Sequence, residues 1–99
     1  MNPNLNLPAN DLARFCQSHG VRELALFGSA TRDDFRDDSD IDVLIDLKRE
    51  MRVGFVALQR MRDELSAMLG RPVDLVTRNG LNRHIRDQVL REAEVVYAE

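Results

Sequence analysis

The chain has 99 residues, enough for one hydrophobic core and too few for two, and is therefore read as a single domain spanning residues 1–99. Apolar residues make up 43% and charged residues 31%, with both signs interspersed, which excludes a disordered chain, and a net charge of -3 supplies no general basic field for a nucleic-acid backbone. The one cysteine, Cys16, excludes a disulfide framework and no apolar run is long enough to span a bilayer, so the expectation is a cytoplasmic protein with neither a membrane nor a direct nucleic-acid partner.

In chain order, Asn10 is placed to cap a helix on which Leu12, Phe15, Cys16 and His19 recur at helical spacing, and Gly20 is placed to end it in a left-handed conformation. Glu23 to Phe27 is a short apolar run that meets Gly28 and Ser29, and Ile41 to Leu47 alternates strictly; both read as strands. On the second of these, Ile41, Val43, Ile45 and Leu47 share one face while Asp42, Leu44 and Asp46 share the other. From Val53 to Leu69 the residues Leu58, Met61, Leu65, Met68 and Leu69 trace a helix face, stopped by Gly70 and Pro72. Residues 72 to 76 read as a third strand, Asn79 and Gly80 as a turn, and Asn82 as the cap of a helix that turns Ile85, Val89, Leu90 and Ala93 to the core. Val95 to Tyr97 is a short last strand. A helical crossover between the second and third strands implies an α/β (α+β) domain in which helices pack on a small mixed sheet.

The chemistry concentrates in GSATRDDFRDDSDID, residues 28 to 42. Asp40 and Asp42 stand two apart where a strand begins, so their side chains share a face with Cα atoms about 6.5 Å apart, within reach of one ion. Carboxylate oxygens suit Mg²⁺ or Mn²⁺, which are held by few protein ligands and complete their shells with water and substrate phosphates. Gly28 and Ser29 close the preceding strand, where a residue without Cβ lets backbone amides approach a phosphate and a hydroxyl can donate to it. Asp74 lies in the third strand with Val73 and Leu75 turned the other way, and a carboxylate there calls for a partner, which a metal face shared with Asp40 and Asp42 would provide. Asp33, Asp34, Asp37 and Asp38 read as a solvated acidic stretch. A calcium loop starting at Asp38 fails because Val43 stands where glycine is needed and Arg49 where a bidentate glutamate is needed. Arg78, Arg83 and Arg86 read as surface charge, with phosphate or an acidic partner as the alternative; His19 and His84 read as structural and Cys16 as core.

The Gly28-Ser29, Asp40-x-Asp42 spacing resembles the signature of the DNA polymerase beta-like nucleotidyltransferase superfamily, and residues 10 to 97 resemble its minimal nucleotidyltransferase (MNT) members. The resemblance implies Mg-dependent (or Mn-dependent) transfer of AMP from ATP, with Asp40, Asp42 and Asp74 as catalytic and metal-binding residues and Gly28, Ser29 and Arg32 at the nucleotide. It further implies pairing with an all-helical HEPN-type toxin, which the MNT antitoxin adenylylates on a tyrosine. Asp33 departs from the family pattern, which usually has glycine after the arginine. Two other functions are compatible with the sequence: an antitoxin that neutralises its partner by binding alone, and a small-molecule adenylyltransferase, although relatives of that kind usually carry an added helical domain.

Overall fold

The computed structural model describes residues 8–28, 40–49 and 53–99. Ser29, Arg32, the acids at 33, 34, 37 and 38, and the apolar residues Leu5 and Leu7 lie outside the described residues.

The first helix, α1 (Ala9–His19), buries Leu12, Phe15 and Cys16 as the spacing requires, and it ends at Gly20, whose φ of 71° places it in the left-handed region while its N–H donates to the Cys16 carbonyl. Its start corrects the expectation for Asn10. The helix begins at Ala9 with Pro8 in the cap position, and no side chain caps it. A proline without an N–H loses nothing there, its restricted φ suits the start of a helix, and its carbonyl accepts from Leu12 N–H at 2.9 Å.

Among the described residues four strands stand close to where the sequence places them: β1 (Val21–Phe27), which begins two residues before the apolar run, β2 (Ile41–Leu47), β3 (Val73–Thr77) and β4 (Glu94–Ala98). They form one sheet in the order β3-β2-β1-β4, with β2 antiparallel to β1, β4 antiparallel to β1, and β3 parallel to β2. The parallel step is made by α2 (Phe55–Leu69), which Gly70 ends at φ 69°, and Ser66 accepts from the Val73 N–H to fasten the helix to the strand it feeds. A single 3-10 turn, Arg78–Gly80, leads to α3 (Arg83–Glu92), capped by Asn82 through its side-chain oxygen on the His84 N–H at 2.9 Å.

The two faces of the sheet are covered by different helices. Leu12, Phe15 and Cys16 of α1 and Met61 and Leu65 of α2 pack with Ile41, Val43, Ile45, Leu24 and Leu26 on one face. On the other, Ala25 and Leu44 are buried with Leu81 and Val89, and Leu90 and Ala93 pack against them. The acidic face of β2 is thus only acidic at its ends, because α3 covers Leu44 between Asp42 and Asp46. Ile85 does not join this cluster and stays 48% exposed; Leu81, which precedes the helix, is buried there instead. Among the described residues no helix is long and apolar enough to cross a membrane.

His19 and Cys16 both take structural places. The His19 ring pairs with Glu64 at 2.8 Å, tying α1 to α2, and lies against Phe15. Cys16 is fully buried and burial pushes its thiol up to about 12. Near pH 8 the native protein should react with a thiol reagent far more slowly than the protein in urea, because a thiol with no exposed surface is reached only when the fold opens. The raised value carries a sign as well. The buried thiol's contribution to stability is complete below the unfolded thiol range and is lost as pH rises through it toward 12.

Candidate nucleotide-transfer site

The end of β1 and the starts of β2 and β3 meet at one end of the sheet. Phe27 pairs with Asp42, and Asp42 pairs in turn with Asp74. Residues in direct register on adjacent strands lie about 4.8 Å apart and turn their side chains to the same face, so Asp42 and Asp74 are neighbours although 15-residue α2 lies between them in sequence. Asp40 is exposed immediately before β2, and the Ile41 N–H donates to the Pro72 carbonyl at 2.9 Å, which locks the starts of β2 and β3 side by side.

Gly28 closes β1 at a φ of 66°. A Cβ at this position would lie 2.2 Å from Asp42 Oδ2, inside any tolerable contact, so only glycine lets the β1 terminus come this close to the carboxylate. The backbone that the sequence assigned to phosphate contact is thereby held against the first residue of the acidic pair with a place in the sheet.

Asp74 differs from the expectation in one respect. It needs no partner to remain in its strand, because β3 is an outermost strand and the side chain is exposed. The donors gathered at this end of the sheet are carboxylate oxygens, the set that hard cations such as Mg²⁺ or Mn²⁺ take. Among the described residues no group of three or more histidines, cysteines or acids stands close enough together to hold a metal; what the fold assembles is the Asp42 and Asp74 pair beside Gly28, with Asp40 next to it.

Arg78 lies at the opposite end of β3, 3.5 Å from Asp46, and so is removed from the phosphate position that the sequence left open for it. Asp46 also accepts a hydrogen bond from Arg22 on the neighbouring strand, which holds the Arg22 guanidinium pKa above its ordinary value. This cluster was not singled out from sequence. The signal for it was present: Asp46 repeats the face of Asp42, and Arg22 is the second residue of the strand that pairs with it.

The sequence matches the nucleotidyltransferase domain family over residues 10–96. The chain belongs to that family. This nucleotidyltransferase domain is 42% identical over 79 residues to the protein adenylyltransferase MntA of Thermococcus cleftensis, covering 79% of this chain and 75% of that protein. A solved structure assigned as a minimal nucleotidyltransferase superposes with a TM-score of 0.72 at 34% identity, over 87% of this chain and 86% of that one. An MNT antitoxin, solved in complex with a tri-AMPylated HEPN toxin of Shewanella oneidensis, superposes with a TM-score of 0.69 at 18% identity, over 92% of this chain and 70% of that one, and so shares the fold. The mixed four-stranded sheet and three helices of the described residues have the polymerase beta-like minimal nucleotidyltransferase fold.

Proposed function

We propose that this nucleotidyltransferase domain is an antitoxin that transfers AMP from ATP to a tyrosine of a HEPN-type toxin. The observation that carries the reading is the register that sets Asp74 beside Asp42, with Gly28 pressed against the same carboxylate, in a chain closely similar to a protein adenylyltransferase. The Shewanella oneidensis relative, solved with an AMPylated HEPN toxin, supports the choice of acceptor.

In this reading Gly28 presents backbone amides to the triphosphate, Ser29 adds a hydroxyl and Arg32 a positive charge. Asp42 and Asp74, which the register sets side by side, would hold Mg²⁺ or Mn²⁺, with Asp40 as the further carboxylate that the family resemblance implies; the ion, when bound, would neutralise triphosphate charge and polarise the reacting phosphate. The phenol oxygen of the acceptor forms a bond to the α-phosphorus as the bond to the β-phosphate oxygen breaks. Pyrophosphate leaves, and the phenol proton passes to the Asp74 carboxylate. The carboxylate pair lies at an open end of the sheet, with Asp40 and Asp74 exposed, and a macromolecule that brings its own surface suits such a site.

ATP binding measured by calorimetry should require the divalent cation, since carboxylates alone repel a polyphosphate; equal affinity with and without EDTA would remove the metal-bridged site. Incubating the chain with ATP, Mg²⁺ and its HEPN-type partner should add the mass of AMP to the partner. Neutralisation without any mass gain would instead establish inhibition by occlusion, the reading that Asp33 in place of the family's glycine favours.

A further inference from the structure

Two adjoining hollows lie at the end of the sheet opposite the carboxylate pair, with Asp46 about 13 Å along β2 from Asp42. One, of about 440 Å³, has Arg22, Lys48 and Arg49 in its wall, and the other, of about 290 Å³, has Val53 and Arg78. Asp46, Leu47 and Asn79 line both and join them into one trough. We propose that this trough is a docking site for an extended acidic segment of a protein partner.

Its charge selects an anion. Among the described residues that line it, four are cationic and one is acidic, in a chain whose net charge is -3. The acid, Asp46, has a side chain only 16% exposed, and its Oδ2 meets two guanidiniums, accepting a hydrogen bond from Arg22 and standing 3.5 Å from Arg78 Nη1. One carboxylate therefore holds two like charges close together and can neutralise only one of them. Lys48 is matched by Glu99 at 2.9 Å, whereas Arg49 forms no hydrogen bond or ion pair among the described residues. What remains is a surplus of positive charge on guanidiniums, whose planar sets of donors fit carboxylates.

The rest of the lining favours a peptide over other anions. Leu47 and Val53 supply apolar wall that a bare phosphate would leave wet, and the Asn79 side-chain amide offers a donor and an acceptor to a peptide backbone. No aromatic side chain stands among the described lining residues to stack a nucleic-acid base. Apolar surface follows along the chain as well, since Phe55 and Val56, just beyond Val53, are exposed at 74% and 61%. A segment seated here does not cover Asp42 and Asp74, so docking and transfer use opposite ends of the domain.

The test titrates a blocked peptide, Glu-Glu-Leu-Glu-Glu, into the ¹⁵N-labelled protein at low ionic strength, with Gln-Gln-Leu-Gln-Gln as the neutral control. The acidic peptide is expected to shift the amide resonances of Lys48, Arg49 and Asn79, and the control to leave them in place. Arg49→Glu should weaken the acidic peptide about ten-fold or more, and Arg78→Gln by a smaller factor, because a reversed charge repels where a neutral one only fails to attract. Arg49 is exposed and makes no ion pair among the described residues, so its reversal leaves the fold intact, which an unchanged spectrum away from the trough would verify. Raising the salt should weaken binding to the wild type, since the attraction lies at a solvated surface. No shift with the acidic peptide, shifts that fall elsewhere, equal binding of the neutral control, or an Arg49→Glu variant that binds as wild type would each overturn the docking site. An oligouridylate that shifts the same amides at lower concentration than the peptide would overturn the choice of partner and assign the trough to RNA.

Discussion

Replacing both Asp40 and Asp42 with asparagine is expected to reduce AMP transfer below roughly one-thousandth of wild type while leaving the domain folded. The two substitutions preserve side-chain size and one accepting oxygen each, so what they remove is charge. Removal of a single preorganised electrostatic contact typically costs a hundred- to a thousand-fold in turnover, and here two negative charges are lost from the group that would anchor the cation. The fold should survive because Asp40 is exposed and Asp42 only partly buried, so neither contributes to either apolar cluster. The partner should still dock, since docking depends on surface. Intact-mass measurement of the partner, a pull-down and a thermal melt on the same preparation separate the outcomes. Residual AMP addition at wild-type level would place the chemistry elsewhere, and a melt that collapses would show that these acids hold the sheet.

What sequence made legible was local in origin. Ile41 to Leu47 has the strand boundaries its alternation announces, because a period of two is a property of neighbouring residues, and Gly20 and Gly70 end their helices where they stand, because only a residue free of Cβ takes a left-handed φ without strain. The spacing from Gly28 to Asp42 likewise marks a candidate site, and the fold brings those two residues against each other. The start of α1 was misread for a local reason too: Asn10 is a good cap by type, but Pro8 had already fixed the backbone two residues earlier.

What was not legible depends on pairing between distant segments. Sequence could list Asp42 and Asp74 as acids on strands, but only the parallel register of β2 and β3 makes them neighbours, and that register is set across the whole of α2. The outermost position of β3 is a fact of the same kind, and it turns Asp74 from a buried anomaly into an exposed acid. The Arg22 and Asp46 contact follows from the antiparallel pairing of β1 with β2. Phe55 and Val56 escaped notice because they precede the periodic stripe of α2; a helix read by its buried face says nothing of what its first turn exposes.

Gly28→Ala should reduce AMP transfer far more than it reduces stability, and Gly70→Ala should do the reverse. Both glycines are left-handed, Gly28 at φ 66° and Gly70 at φ 69°, so alanine at either carries a similar backbone penalty of about 1–2 kcal/mol. For a domain of this size that is a drop in Tm of about 4–8 °C per kcal/mol. Their surroundings differ. A Cβ on Gly70 meets nothing within 4 Å, whereas one on Gly28 falls 2.2 Å from Asp42 Oδ2 and 3.2 Å from Asp42 Cγ. The obstructing atom is the end of a side chain and can rotate away, so the fold at Gly28 is spared a backbone collision. The rotation, however, carries the Asp42 carboxylate out of its place beside Asp74, and a carboxylate displaced by even 1 Å from its working position can cost a hundred-fold in rate. The expected result is therefore a matched loss of Tm in the two variants, with transfer near wild type in Gly70→Ala and lowered about a hundred-fold or more in Gly28→Ala. Equal activity in the two variants would mean that the contact between Gly28 and Asp42 has no part in the reaction.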